Sequence, residues 1–173
     1  MAETSARGPV EKSNAAVGLA AHGILPDVGL MTLRIGTGLC LVVLHGWSKL
    51  AEALGYFQGH DWDLVHLTRS LGFPAPAFFA VCAACSESVG AALVACGLCT
   101  RLAAAAVTFN MLVAAYADLK DGTSIESACL YGLPFFAILL AGPGTLSLDY
   151  FCKQIRRKRA GELTPLGGPT NPK

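Results

Sequence analysis

The chain has 173 residues, of which 53% are hydrophobic and 14% are charged. This composition is more apolar than that of ordinary soluble domains, and it favours an integral membrane protein with one domain. The formal net charge of +1 excludes a general preference for nucleic acid or acidic partners, so the placement of individual charges carries the electrostatic information.

Residues 1–27 are predicted to form a cytoplasmic leader. Ala15 to Leu25 is weakly apolar, is interrupted by His22 and lacks a cleavage pattern, so the mature chain is expected to begin at Met1. This stretch is too short to span a bilayer. A disordered leader is favoured, and a segment lying on the inner membrane surface is the alternative.

Four apolar segments approach the roughly 20 residues that a helix needs to cross the hydrocarbon core. Lipid cannot satisfy open backbone groups, so each segment is predicted to be helical. The expected fold is an all-α, integral membrane four-helix bundle formed by residues 28–149. The predicted spans are Val28 to Trp47, Ala77 to Cys99, Leu102 to Leu119 and Ser127 to Leu146.

The connections between these spans differ in length. Only Thr100 and Arg101 separate the second and third spans, which predicts a tight antiparallel hairpin. The first and second spans are joined by a long polar loop, closed by Pro74 and Pro76, which is predicted to be partly helical and to lie along the membrane interface. Its polar and aromatic residues are Tyr56, Phe57, His60, Asp61, Trp62, Asp63 and His66.

The positive charges predict that both termini are cytoplasmic, because Lys and Arg near span ends stay on the inner side. Residues 150–173 form a basic tail, and an even number of spans places the leader and the hairpin at Arg101 on the same side. The tail can also bind anionic headgroups, although topology is the simpler explanation. The residues assigned inside are Arg7, Lys12, Arg101, Lys153, Arg156, Arg157, Lys158, Arg159 and Lys173, against Lys49, Arg69 and Lys120 outside.

Charged side chains within the spans are predicted to face the bundle interior, because they are costly when they face lipid alone. Arg34 lies in the first span and Glu87 near the middle of the second. His45 follows Arg34 by about three helical turns, and Lys49 extends the same face. A rise of about 1.5 Å per residue places Glu87 at a depth between Arg34 and His45.

Two interpretations of these residues are open in about equal measure. In one, Arg34 and Glu87 form a buried ion pair, assisted by Asn110, which fixes helix register. In the other, Glu87 and His45 form a proton-handling or ligand site in the outer half of the bundle, completed by Tyr131. For His45 alone, a histidine at the membrane interface is favoured over catalysis.

Two C-x-x-C pairs lie in the second predicted span, Cys82 with Cys85 and Cys96 with Cys99. A shared zinc site is rejected, because about 21 Å of one helix separates Cys82 from Cys96. Redox activity is disfavoured, because thiols in apolar surroundings are seldom ionised. Packing as a small apolar residue is the favoured role for the cysteines within the spans.

The fourth predicted span ends at a Gly-Pro-Gly sequence, residues 142–144, which breaks the helix. Ser147 and Asp149 are expected to cap the next helix or to contact Arg34 or Arg101, in a structural role. The sequence contains no phosphate loop, paired-histidine metal motif or covalent haem pattern. Neither a metal nor a covalently bound cofactor is therefore expected.

A set of short stretches is distributed over roughly residues 30–150. They are Leu33-Arg34-Ile35-Gly36, His45-Gly46-Trp47-Ser48-Lys49-Leu50, Leu71-Gly72-Phe73-Pro74, Glu87 with Gly90, Gly97-Leu98-Cys99-Thr100-Arg101-Leu102-Ala103, and Gly142-Pro143-Gly144 through Ser147-Leu148-Asp149. In order and spacing this set resembles the DoxX family of small four-span membrane proteins. The leader, the tail and the cysteine-rich character of the second span lie outside the resemblance.

The resemblance implies a four-helix bundle in the bacterial inner membrane, and it implies function only loosely. Some relatives are small subunits of quinone-reactive complexes, including terminal quinol oxidase and thiosulfate:quinone oxidoreductase. Others are associated with thiol or oxidative stress defence, and distant relatives are membrane assembly factors. The positions that match the family pattern are Arg34, His45, Lys49, Glu87, Arg101 and Asp149.

Two functional hypotheses follow, ahead of a third, a small-solute transporter, which is disfavoured because the four spans show no inverted repeat. The sequence leaves open whether the chain is itself an enzyme. In the first, it is a subunit of a quinone-linked oxidoreductase or redox complex that binds quinone non-covalently and exchanges electrons with membrane or periplasmic partner subunits. In the second, it is a non-enzymatic assembly or stabilising subunit. The candidate residues are Glu87 and His45 for catalysis, Arg34, Lys49, Tyr131 and Asn110 for ligand binding, and Arg101, Ser147 and Asp149 for structure.

Overall fold

The computed structural model describes the backbone of residues 9–162 and the side chains of residues 25–159. Within these residues all regular structure is helical, which confirms the predicted all-α class. Two short π-helical segments, π1 (Val42–Gly46) and π2 (Ser86–Gly90), interrupt longer helices. The α-helices are α1 (Pro9–Leu41), α2 (Trp47–Tyr56), α3 (Asp63–Ser70), α4 (Pro76–Cys85), α5 (Ala91–Cys96), α6 (Thr100–Asp121), α7 (Glu126–Ala141) and α8 (Leu148–Glu162).

Three described helical stretches are long and apolar enough to cross a membrane, namely Leu25–Tyr56, Pro76–Cys96 and Thr100–Asp121. They correspond to the first three predicted spans. The fourth predicted span coincides with α7, an apolar helix of 16 residues, which is shorter than the roughly 20 residues of a typical crossing. These helices are those of a multi-pass membrane protein.

The first helix extends beyond both ends of the predicted span. Its backbone is already helical at Pro9, and it continues through Pro26 into the apolar stretch. At the other end, π1 leads directly into α2, so that the helical backbone reaches Tyr56 rather than ending at Trp47. The extension is stabilised because Ala53 is buried against the polar connection that follows.

That connection is partly helical, as predicted, and α3 packs against α4. Trp62 is its largest buried side chain, and the indole Nε1 donates a hydrogen bond of 3.0 Å to Glu52. The Thr68 hydroxyl donates to the carbonyl oxygen of Pro76 at 3.0 Å, which ties α3 to the start of α4. The cluster that results contains Ala53, Trp62, Val65, Ala80 and Ala84.

The main core lies between α1, α5, α6 and α7, where small residues allow the helices to approach closely. A Cβ atom at Gly38 would lie 2.7 Å from the carbonyl oxygen of Ala91, so glycine is required where α1 meets α5. A Cβ atom at Gly132 would lie 3.2 Å from Cβ of Met111 in the α6–α7 contact. The buried core residues are Leu41, Ala91, Val94, Ala103, Ala104, Val107, Met111, Tyr131, Phe135 and Ile138.

The helical hairpin between the second and third spans is present, but its turn lies earlier than predicted. Gly97 has a left-handed φ of 72°, and the N–H of Leu98 donates to the carbonyl oxygen of Leu93 at 2.9 Å. Cys99 is also left-handed, with φ of 46°. Thr100 and Arg101, the predicted turn residues, belong instead to the first turn of α6.

Candidate functional site

The two π-helical segments lie against each other, and their closest approach is at Gly46. A Cβ atom there would lie 2.6 Å from the carbonyl oxygen of Glu87 and 2.8 Å from Cα of Ser88. Because these are backbone atoms, a side chain at position 46 could be accommodated only by moving one helix. π-Helical turns occur frequently at functional sites, and here the second of them carries Glu87.

Glu87 is buried, with 2% of its side chain exposed, and it has polar partners on two other helices. Its Oε1 accepts a hydrogen bond from Nζ of Lys49 on α2 at 2.5 Å. The same oxygen accepts one from Nδ2 of Asn110 on α6 at 2.8 Å. A buried carboxylate is unfavourable unless it is paired, and these two donors compensate for its lost hydration.

The predicted ion pair between Arg34 and Glu87 is wrong, because Lys49 is the cation that reaches Glu87. The Arg34 guanidinium donates instead to the carbonyl oxygens of Pro143 and Leu146. The predicted depth of Glu87 is also wrong. The backbone of Glu87 contacts Gly46, so this residue lies level with His45 and not between Arg34 and His45.

His45 and Tyr131 lie together beside the Lys49–Glu87 pair. Their rings make an edge-to-face contact, with centroids 5.2 Å apart and an interplanar angle of 77°. Both side chains line a small cavity of about 70 Å³, together with Lys49, Glu87 and Ser127. The structure therefore brings Glu87, His45 and Tyr131 to one cavity, as the second interpretation requires, and adds Lys49 and Asn110 as partners of Glu87. The function of these residues stays a prediction.

A larger cavity of about 220 Å³ lies on another side of Glu87, between α3, α4 and α6. Its polar lining includes the hydrogen-bonded group Lys49, Glu87 and Asn110. Most of its remaining wall is apolar, so the cavity combines a hydrophobic enclosure with a few convergent polar atoms, as ligand sites commonly do. The apolar wall includes Leu64, Leu67, Phe73, Phe79, Phe109 and Val113.

The Lys49–Glu87 pair borders both cavities. On one side lies the larger apolar cavity, and on the other lies the small cavity with the imidazole of His45 and the phenol of Tyr131. The pair therefore separates an apolar enclosure from an imidazole and a phenol, two groups that can each donate and accept hydrogen bonds.

Arg34 belongs to a second polar cluster, around the chain segment that follows α7. It is 2% exposed, and its contact with Leu146 measures 2.7 Å from Nη2 to the carbonyl oxygen. Asp27 accepts hydrogen bonds from the backbone N–H of Thr145, at 3.3 Å, and from its hydroxyl group. These contacts tie the start of the first apolar stretch to the segment after α7, and none of them involves Glu87.

Asp149 caps the start of α6. Its Oδ1 accepts from the N–H of Cys99, and its Oδ2 accepts from the N–H of Thr100, both at 2.8 Å. Burial alone would raise the pKa of Asp149, but the hydrogen bonds from Thr100 and Cys99 and the charge of Lys153 outweigh it. The pKa is therefore lowered from its ordinary value.

The other two predicted structural residues lie near this cap. The Ser147 hydroxyl accepts a hydrogen bond from the N–H of Tyr150 at 3.1 Å, so it caps α8 as expected. Asp149 caps α6 rather than the helix that follows it. Arg101 is exposed and lies over the turn after α7, where a Cβ atom at Gly142 would be 3.2 Å from its Nε.

All seven cysteines lie within the described side chains, and all are free and exposed. The expectation that the cysteines within the spans pack as small apolar residues beside Ala and Gly is therefore wrong, because each lies at the surface of the described fold. Helix rotation turns the thiols of the apolar helices away from the core, on surfaces where a cysteine is tolerated as a small, weakly polar residue. Cys82 differs from the others in lining the larger cavity.

Some residues of the two clusters were missed by sequence reasoning. Asp27 and Thr145 hold the second cluster together, and Ser127 lines the small cavity. Asp27 lies immediately after Pro26, at the start of the first apolar stretch. An acidic residue at this position is the one sequence feature that could have indicated a polar contact there. No pattern singles out Ser127 or Thr145, because their roles depend on helices that are distant in sequence.

Comparison with known proteins gives one match. The model of the DoxX family matches residues 29–117, which is about half of the chain and includes Arg34, His45, Lys49, Glu87 and Asn110. No curated protein and no solved structure matches the chain. The matched segment ends within α6, so Tyr131 and the chain segment after α7 that binds Arg34 lie beyond it.

Proposed function

The chain belongs to the DoxX family, and from this premise we propose that it is a small inner-membrane subunit of a quinone-linked oxidoreductase. The observation that carries the proposal is the cavity of about 220 Å³ in which apolar walls meet the Lys49–Glu87–Asn110 group. In this proposal the cavity holds a quinone headgroup, and the quinone is bound without a covalent link.

The chemistry of a quinone suits both parts of the cavity. Its ring and isoprenoid tail are apolar and require a hydrophobic enclosure, which Phe73, Phe79 and Phe109 help to provide. Its carbonyl oxygens accept hydrogen bonds, and the ammonium of Lys49 and the amide of Asn110 are donors at the cavity wall. Both donors already bind the Glu87 carboxylate. A quinone carbonyl oxygen placed beside this carboxylate would accept hydrogen bonds from the same two groups.

Protons and electrons follow different routes in this proposal. Reduction of a quinone to a quinol adds protons and electrons in equal number. Glu87 borders the cavity and would exchange protons with the quinone oxygens, and His45 and Tyr131 line the small cavity from which those protons would be replaced. The sequence has no cofactor motif, so a partner subunit, in the membrane or the periplasm, must supply or accept the electrons.

The membrane arrangement is part of the proposal. We assign α7 as a fourth span, because it is apolar and packs along α6 through Tyr131 and Phe135. Both termini are then cytoplasmic, which is supported by the basic residues of α8 near the turn between α5 and α6.

Quinone binding by the purified full chain in lipid nanodiscs tests the proposal. A short-chain ubiquinone analogue is titrated by isothermal calorimetry against the wild type, Glu87→Gln and Ala83→Phe, since Ala83 lies in the cavity wall. We expect saturable binding by the wild type, loss of binding in the filled-cavity variant, and weakening by about tenfold or more in Glu87→Gln. Glu126→Gln is the matched control, because this carboxylate is exposed at the start of α7.

Absence of saturable binding by a folded wild-type chain would reject the quinone proposal. Equal affinity in Ala83→Phe would locate the ligand elsewhere.

A second candidate function, that of an assembly or stabilising subunit, is favoured by one observation. The charged groups of Asp27, Arg34 and Asp149 link distant segments without bordering either cavity. If this is the function of the chain, Glu87→Gln lowers thermal stability and the yield of the complex while leaving quinone-dependent turnover of the assembled complex intact. Co-purification from native membranes, with identification of bound proteins and quinones, separates the two functions.

A further inference from the structure

Helix α8 contributes to neither of the two core clusters. Every side chain from Tyr150 to Arg159 is exposed. Tertiary hydrogen bonds hold this 15-residue helix at its start, through Asp149, and a helix of this length that is otherwise solvent-exposed is only marginally stable in water. A surface outside the described fold is therefore needed to stabilise it.

One face of α8 is apolar. Leu148, Phe151, Cys152 and Ile155 follow each other at the spacing i, i+3, i+4, i+7, which places them in an arc of about 100°. Phe151 is 61% exposed, and Leu148 and Ile155 are also exposed. An apolar stripe of this width on a solvent-facing helix predicts burial against another apolar phase.

The same helix is strongly basic. At about 100° per residue, Arg156 and Lys158 fall on opposite flanks of the apolar stripe, and Lys153 and Arg157 fall on the far side. Arg159 falls in line with the stripe, one turn beyond Ile155, and so ends the apolar face. Long basic side chains on the flanks can extend upward from an embedded stripe to phosphate groups. This combination characterises helices that lie in the plane of a membrane surface.

The start of α8 is held at the ends of the apolar helices. Asp149 is bound to Cys99 and Thr100, at the turn between α5 and α6, and the N–H of Asp149 donates to the carbonyl oxygen of Gly97 at 2.9 Å. Because α5 and α6 reverse direction at this turn, it marks the level at which the spans leave the hydrocarbon core. The apolar stripe of α8 therefore starts at the depth of the lipid headgroups.

We propose that α8 is an interfacial helix that binds the anionic phospholipid surface of the membrane in which the spans are embedded. The apolar stripe enters the boundary between headgroups and acyl chains, and the basic flanks bind lipid phosphates. Charge complementarity selects this partner, because five of the seven residues from Lys153 to Arg159 are basic. The inference does not depend on quinone binding.

Amide hydrogen exchange of α8, measured by mass spectrometry, tests this inference. The full chain is placed in nanodiscs of phosphatidylcholine alone or of phosphatidylcholine with about one third phosphatidylglycerol. We expect exchange in α8 to be slower by about tenfold or more in the anionic discs, with the difference removed by 0.5 M NaCl. Exchange in α6 serves as an internal reference, because this helix is part of the core.

Two variants separate the contributions of charge and apolar contact. Arg156→Gln combined with Lys158→Gln should abolish the preference for anionic discs, and Phe151→Ser should weaken protection in both lipids. Gln154→Ser is the matched control on the polar face. Equal exchange rates in the two lipids at low salt would overturn the proposal. So would slow exchange in neutral discs after addition of soluble glycerol phosphate, because a free phosphate group and not a lipid surface would then be the ligand.

Discussion

Lys49 donates a hydrogen bond of 2.5 Å to the buried carboxylate of Glu87, and this contact joins the end of the first apolar helix to the second. The lysine lies four residues beyond His45 and retains 30% exposure, whereas the carboxylate is almost completely buried. The long apolar side chain of Lys49 allows its ammonium group to reach inward from the edge of the bundle. The buried Glu87 carboxylate therefore depends on Lys49 for a compensating positive charge.

Removal of Lys49 should leave Glu87 without its cationic partner. We expect Lys49→Met to lower the free energy of unfolding by about 2–3 kcal/mol, a figure below that for fully buried pairs because Lys49 is partly exposed. Thermal unfolding in nanodiscs measures the loss. Lys120→Met is the control, because Lys120 is exposed and contacts a backbone carbonyl oxygen instead of a carboxylate. A double variant with Glu87→Gln should recover stability, and a failure to do so would show that the ion pair is not the cause.

Gly46→Ala should separate the two π-helical segments. The added Cβ would lie 2.6 Å from the carbonyl oxygen of Glu87, and overpacking of this kind costs about 1–3 kcal/mol. Quinone affinity should fall as well, because the movement displaces Glu87. Gly36→Ala in the same helix is the control, since no atom lies within 4 Å of its Cβ position. The close approach at Gly46 would be refuted by equal melting temperatures for the two variants.

Arg34→Lys should show whether the polar cluster around Arg34 acts separately from the Lys49–Glu87–Asn110 group. The guanidinium donates to two carbonyl oxygens after α7, and a lysine keeps the charge but loses the two-pronged geometry. We expect the free energy of unfolding to fall by about 1–3 kcal/mol, with quinone affinity unchanged in the protein that remains folded. Circular dichroism melting and calorimetric titration on the same sample measure the two quantities. A selective loss of quinone affinity would instead connect Arg34 with the cavity.

Asp149 should make stability depend on pH in the acidic range. Its pKa in the folded chain is lowered from the ordinary value of 3.8, so its stabilising contribution is complete above the unfolded pKa. The contribution is lost as the pH falls through the folded pKa, because protonation weakens the cap on α6. The melting temperature of the wild type should therefore exceed that of Asp149→Ala at pH 7, and the difference should shrink below about pH 4. Asp121→Asn, an exposed acidic residue at the end of α6, should show no such convergence.

Local chemistry made much of the helical structure predictable. Long apolar stretches must be helical in lipid, and the positions of the first three spans follow from hydropathy. The need to remove Glu87 and Arg34 from lipid also predicted that both are buried, which the structure confirms. The extension of the first helix to Tyr56 was not predictable from hydropathy, because Ala53 is buried by a connection that begins after the helix ends.

Pairing of the buried groups depended on the tertiary structure. Arg34 and Lys49 are both cations on the first helical stretch, and sequence spacing alone does not determine which of them lies level with Glu87. The contact between Gly46 and Glu87 sets the register of the two helices, and the π-helical segments alter side-chain directions from those of a continuous α-helix. Residue type and hydropathy therefore determine which groups must leave lipid. Helix register and rotation determine their partners, because hydrogen bonds and close ion pairs form only between atoms within a few ångströms of each other.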